Sequence, residues 1–310
     1  MQTPVRRVQR GVTLLLTAAT LALAAAPALA ARIGVLSNKY ASETAKDFAS
    51  HIAQHTFTGV DVGGGPPPLD QLLAQFDAIL LFEDGTYVQA PLVGTAVAAY
   101  ARSGRAVVLG TFYDQERSDG SPDFTPHGWG DLEAIDPNTT DGVGTSYAQR
   151  TLGSVIAHPL TVGIKALNAV KYAGGNQAKA GTVVVATWAQ KNARGLPDPA
   201  IDYRITDRAC VIHVAIAPDY PTVATTSSDF GGDFYRAWSN AFDFAAIGCQ
   251  GVIPGDFGQI TQGFANRGVL DAWRVAFPFA VTLDGAPLQG GFGPALQLVT
   301  LSGGRIVAGP

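Results

Sequence analysis

Two acidic clusters stand where a wound α/β sheet does its chemistry. Glu83 and Asp84 close the apolar run Ala78 to Phe82, and Asp114 and Glu116 follow Gly110-Thr111-Phe112-Tyr113 at the end of the run Ala106 to Leu109. Carboxylates converging from two strand ends can separate their pKa values for acid/base work, or grip a cation or the hydroxyls of a sugar. Tyr87, Phe112, Tyr113 and Trp129 add aromatic surface, and His127 sits beside Trp129 in a long polar loop. The candidate ligand set is therefore Glu83, Asp84, Thr111, Tyr113, Asp114, His127 and Trp129. Asp84 and Asp114 are the pair a carboxylate-dependent hydrolase would use. The plainer reading has Asp84 capping a turn and Asp114 linked to Arg117.

Other chemistries lack their residues. No G-x-S-x-G elbow is present, and Thr111 after Gly110 has no neighbouring histidine in the sequence. His51 and His55 share a four-residue spacing, but HIAQH lacks the metalloprotease glutamate and reads as a solvated helix face. His213 reads as a core or sheet-edge histidine and His158 as a loop cap. IGVLSNKYAS has no G-x-G-x-x-G, and Gly63-Gly64-Gly65 runs into three prolines instead of a helix. No phosphate loop, metal site or cofactor is expected.

The elements that would position these groups follow from periodicity. Short, largely apolar runs at 31–36, 77–82, 106–109 and 209–216 read as buried parallel strands, with a further short strand at 57–62. Helices fit between them. Ala45, Phe48 and Ile52 share one helix face, Leu69 to Gln75 makes a short helix, and Pro91 opens another that ends at Gly104. Phe234, Trp238 and Phe242 line one side of a late helix, with Asp233 as its cap. A loop from Thr111 to about Thr145 leads to a helix expected over 145–157, a strand at 183–187 and a Gly/Pro/Asp-rich excursion at 191–204. The fold expected is α/β, a three-layer wound and mostly parallel sheet of flavodoxin-like layout over residues 31–250. Residues 251–310 read as a small C-terminal β extension, either an appendage or extra strands on the sheet edge, with strands at 277–283, 295–301 and 305–307, the last two joined as a hairpin.

Residues 1–30 combine Arg6, Arg7 and Arg10, an apolar run and Ala28-Leu29-Ala30, the layout of a cleaved secretory signal. The chain is then secreted or periplasmic and keeps no membrane span. Removing those arginines leaves 18 basic against 25 acidic residues, a formal charge of −7. A mildly acidic chain without a basic run gives no nucleic-acid footprint. Cys210 and Cys249 are the only cysteines. Export permits them a disulfide, two buried thiols being the alternative. The β extension offers an edge to a protein partner.

Three segments resemble the class I glutamine-amidotransferase-like superfamily, in particular its ThuA-like exported branches. They are FDAILLFED with RAVVLGTFYD; AHPLTVGIKAL, with His158-Pro159-Leu160-x-x-Gly163; and VIHVAIAPD with GGDFYRAWSNAFDFAA. The resemblance covers about residues 31–248. It implies the fold and a sugar-related or envelope-associated ligand. It does not carry over the amidotransferase reaction. The turn that should hold the nucleophilic cysteine reads Gly110-Thr111, and Ala215-Ile216-Ala217-Pro218-Asp219 stands where a late His-x-Glu would be. The function expected is a non-amidotransferase domain binding a small polar or carbohydrate-like ligand or an envelope partner. A glycan hydrolase and a structural module are the alternatives.

Overall fold

The structure is a computed structural model. It describes residues 30–85, 89–111, 113, 128–140, 150–169, 176–192, 194–206, 208–223 and 230–249, and the backbone of residues 279–283, 286–287, 297–302 and 305–308. Residues 1–29 of the expected signal segment 1–30 lie outside these. Among the described residues no helix is long and apolar enough to cross a membrane.

The first half alternates strand and helix as the apolar runs require. β1 (Arg32–Ser37), α1 (Ala41–His51), β2 (Thr56–Asp61), α2 (Leu69–Gln75), β3 (Ala78–Leu81), α3 (Ala90–Arg102) and β4 (Ala106–Gly110) follow in order. β5 (Asn138–Thr140), β6 (Arg150–Val155), β7 (Leu167–Ala169), β8 (Asn176–Ala178), β9 (Thr182–Lys191), β10 (Pro197–Thr206) and β11 (Ala209–Val214) come next. The main body ends with α4 (Tyr220–Val223), β12 (Phe230–Gly232) and α5 (Phe234–Ala246).

Ten strands form one sheet in the order β12-β7-β6-β9-β10-β11-β4-β3-β1-β2. From β2 to β11 every pairing is parallel, and Ile33, Ala78, Ala106 and Cys210 make one row across it. Helices cover both faces of this half. Ile33, Val35, Leu80, Val108 and Ile212 lie under Phe48 of α1 and Phe234, Trp238 and Phe242 of α5. Ile79, Leu81, Val107, Leu109 and Val211 lie under Leu72 of α2 and Val93 and Val97 of α3. Burial on both faces explains why these strands read as unbroken apolar runs. Each large side chain so buried contributes about 1.5–3 kcal/mol.

Beyond β11 the sheet turns antiparallel through β10, β9, β6, β7 and β12, so it is larger and more mixed than its sequence reads. Two expectations are corrected there. The helix expected over 145–157 is strand β6 where it is described, because Gly153 lets its backbone lie against Trp188; a Cβ there would come within 2.7 Å of Trp188 C and O. The excursion at 191–204 contains β10. Its prolines, Pro197 and Pro199, sit at register shifts, where a missing N–H is tolerated.

Two smaller corrections concern side chains. Asp233 stands at the N-cap of α5 without capping it, and instead accepts from Lys165 N (2.7 Å) and Ala166 N (3.0 Å). His51 and His55 do not make a solvated pair. His51 stacks on Tyr235 at 3.8 Å, while His55 is buried, accepting from Ala31 N and meeting Asp243 Oδ1 at 3.1 Å.

Cys210 and Cys249 form a disulfide that ties the start of β11 to the end of α5, with Cα atoms 6.1 Å apart. Gly104 follows the C-cap of α3 at φ 93, as its sequence position requires. Its Cβ position meets nothing within 4 Å. Gly104→Ala is thus a purely conformational change, expected to cost about 1 kcal/mol in urea unfolding.

In the extension, β13 (Phe279–Leu283), β14 (Ala286–Pro287), β15 (Gln297–Ser302) and β16 (Arg305–Ala308) form a separate four-stranded sheet. β15 and β16 pair antiparallel with Ser302 opposite Arg305, as a hairpin does.

Candidate functional site

The carboxyl ends of β1, β3, β4 and β11 lie side by side at one edge of the parallel half. α1 leaves β1 for one face while α2 and α3 take the other, so chain direction switches between β1 and β3. Open sheets leave a crevice at such a point. Asn38, just past β1, spans it. Its Nδ2 donates to Asp84 O (3.1 Å) and Gly85 O (2.8 Å), and its Oδ1 accepts from Asp84 N (3.0 Å). Beside it Tyr40 holds φ 56, a left-handed conformation that a non-glycine residue takes only under local constraint.

Glu83 is buried and Asp84 half-buried at the end of β3. Thr111 is buried past β4. Its N–H donates to Ile216 O at 3.2 Å, while Oγ1 has no hydrogen-bond partner among the described residues. The unforeseen member is Asp219, past β11 and only 3% exposed. Its carboxyl is pushed up to about 7, first by burial and then by the nearby Asp84 charge. The two carboxylates that interact across the strand ends are therefore Asp84 and Asp219. Asp114 and His127, with Tyr87, Phe112, Glu116 and Arg117, lie outside the described residues. The signal for Asp219 was present in the sequence. It is the first charge after the apolar run Val211 to Pro218, broken only by His213, and the carboxyl-end rule applies to it as it does to Asp84.

Tyr113 and Trp129 are fully buried and pack together with ring centroids 5.8 Å apart. Trp129 Nε1 donates to Tyr113 O at 2.9 Å, and Tyr113 donates its hydroxyl to Asp136, which also pairs with Lys179. Both belong to the core between the sheet and α3.

Behind them is a buried polar group. Asn138 Nδ2 lies 3.0 Å from Asp202 Oδ1 and 2.9 Å from His213 Nδ1, and all three residues are inaccessible to solvent. Asp202 and His213 sit directly opposite each other on β10 and β11. Burial raises the Asp202 carboxyl, and the hydrogen bond from His213 opposes it.

The turn after β4 offers a hydroxyl rather than a thiol, since both cysteines are in the disulfide. On the α5 side that turn is closed: a Cβ on Gly110 would come within 2.9 Å of Pro218 and 3.1 Å of Trp238. Among the described residues no group of three metal-ligating side chains occurs. What the strand ends bring together is one half-buried carboxylate, one buried carboxyl group pushed up to about 7 and a buried threonine hydroxyl. Such a set contains both hydrogen-bond donors and acceptors.

No protein-family model matches the sequence, and no curated protein matches it. Solved structures with similar folds include a cytoplasmic protein of Salmonella typhimurium, with TM-score 0.47 and 12% identity over 68% of this chain and 98% of that one. A putative ThuA-like protein of Bacteroides uniformis gives 0.42 and 12% over 72% and 92%. The glutaminase domain of Trypanosoma brucei CTPS gives 0.42 and 14% over 72% and 96%. Likenesses this distant assign neither an activity nor a ligand.

Proposed function

We propose that this chain is an exported domain of glutamine-amidotransferase-like ancestry, without amidotransferase chemistry, that binds a small polar, hydroxyl-bearing ligand at the carboxyl ends of β1, β3, β4 and β11. The observation that carries the reading is the Asp84–Asp219 pair, in which burial and then the charge of the half-buried Asp84 push the Asp219 carboxyl up to about 7. A protonated Asp219 donates to a ligand hydroxyl and an ionised Asp84 accepts from one. The order β2-β1-β3-β4-β11 supports a flavodoxin-like layout, in which ligands sit at this switch point. The disulfide supports an oxidising compartment.

Calorimetry and ligand-observed NMR against monosaccharides, oligosaccharides and linear polyols test this. At least one class binds the wild type, and Asp84→Asn weakens it by about tenfold or more, the cost of losing a charged hydrogen bond. A panel with no binder, or equal affinity in the variant, overturns the reading.

The same pair supports a second reading as a glycan hydrolase, with Asp219 as general acid and Asp84 as its ionised partner. Turnover of aryl glycosides that falls by about a hundredfold or more in Asp84→Asn distinguishes it from binding alone.

A further inference from the structure

Asn38 is on the ligand side of β1, yet all its side-chain hydrogen bonds to another strand's loop go to one short stretch, Asp84-Gly85. Both atoms of the amide are used, Nδ2 as a donor to two carbonyls and Oδ1 as an acceptor from the Asp84 N–H. Gly85 holds φ 74, so the backbone turns there as it passes Asn38. Behind Asn38, Ser37 Oγ accepts from Lys39 N at 3.3 Å and fixes the turn from which the amide projects. The segment between β3 and α3 thus has its acidic start fastened to β1 by one side chain.

We propose that Asn38 is the positioning residue of this site, holding the loop after β3 so that the Asp84 carboxylate stands beside Asp219 across the switch point. The proposal rests on the ligand-site reading above, but its geometric content is tested without a ligand. At these strand ends Asp84 is the charged group that acts on Asp219, Tyr220 is next to it in the chain, and Lys39 Nζ on the loop after β1 lies 3.3 Å from where a Gly85 Cβ would be. A residue that merely staples two loops affects stability alone. A positioning residue also sets what Asp219 feels.

The readout is the Asp219 carboxyl titration, followed by carbon-13 NMR and assigned with Asp219→Asn. Asp84→Asn is expected to lower the midpoint by about half a unit or more by removing a like charge. Asn38→Ala is expected to lower it in the same direction and by a comparable amount. An Asn38→Ala midpoint equal to the wild type's, alongside a lowered one in Asp84→Asn, overturns the proposal; so does an Asp84→Asn variant that shifts nothing.

Should Asn38→Ala fail to fold, Asn38→Ser serves for the same titration, and hydrogen exchange of the Asp84 amide in the wild type tests the clamp on which that titration depends. Slowing by about tenfold or more relative to an open loop supports the clamp, and exchange at the unprotected rate overturns it. A ligand panel without a binder would sink the functional reading while leaving these titrations as they are. An unmoved midpoint would sink the positioning role while leaving any ligand binding in place.

Discussion

Asp219→Asn is expected to stabilise the protein at pH 8 by about 4 kcal/mol more than it does at pH 3, measured by urea unfolding across that range. The folded-state carboxyl sits at about 7 against an ordinary 3.8, because burial and then the Asp84 charge disfavour ionisation. A folded-state pKa above the unfolded one means that the contribution is fully present below 3.8. It is lost as pH rises, and is gone once pH passes about 7. An asparagine of the same shape never ionises and escapes that loss. Groups that do not interact with Asp219 act equally in both proteins, so the difference between variant and wild type reports Asp219 together with its coupling to Asp84. Parallel pH profiles would show that Asp219 is not held as described. A buried acid that lowers stability at neutral pH is a cost usually retained for function, which is why the same residue anchors the ligand reading.

The half of the fold that carries the site was legible because its signals are local. Ala78–Leu81 and Ala106–Gly110 are apolar throughout since helices cover both faces, and Pro91 and Gly104 bracket α3 by backbone chemistry alone. The antiparallel wing was not legible for the opposite reason. Pro197 and Pro199 argue against a strand until the register shifts in its pairing with β9 accommodate them, and Gly153 favours an extended strand only once Trp188 is packed behind it. Those facts belong to pairs of segments far apart in the chain. The site divides the same way. Glu83, Asp84 and Thr111 follow from the rule about strand ends. Asp219 was open to that rule, but its partnership with Asp84 needed β11 to be seated beside β4. Asn38 is an ordinary loop residue until the switch point brings Asp84 to it. Asp233 shows the limit of local inference: it occupies the capping position of α5 and spends its carboxylate on Lys165 and Ala166.

His158→Asn is expected to remove a loss of about 3 kcal/mol that this histidine imposes as pH falls from 6.5 to about 4. His158 is 6% exposed, stacked on Tyr203 at 5.1 Å and edge-on to Phe244 at 5.0 Å, and its Nδ1 accepts from Leu160 N at 3.2 Å. Burial drives its folded-state pKa down to about 4, so the unfolded chain takes up the proton first. Stability is complete above 6.5 and declines through the interval below it. Asparagine keeps an oxygen for the Leu160 N–H and has no proton to gain.

This slope runs opposite to that of Asp219 over nearly the same interval, because one buried group resists gaining charge as pH falls and the other sheds charge. The two contributions should therefore largely cancel in the wild type between pH 4 and 7, with each single variant exposing the one left behind. Asp219→Asn loses stability steeply on acidification, and His158→Asn gains it. The double variant differs from the wild type by the sum of the two effects, since the groups lie on separate elements. A wild-type profile as steep as that of Asp219→Asn would show that only the histidine is set as described, and single variants that match the wild type would overturn both assignments.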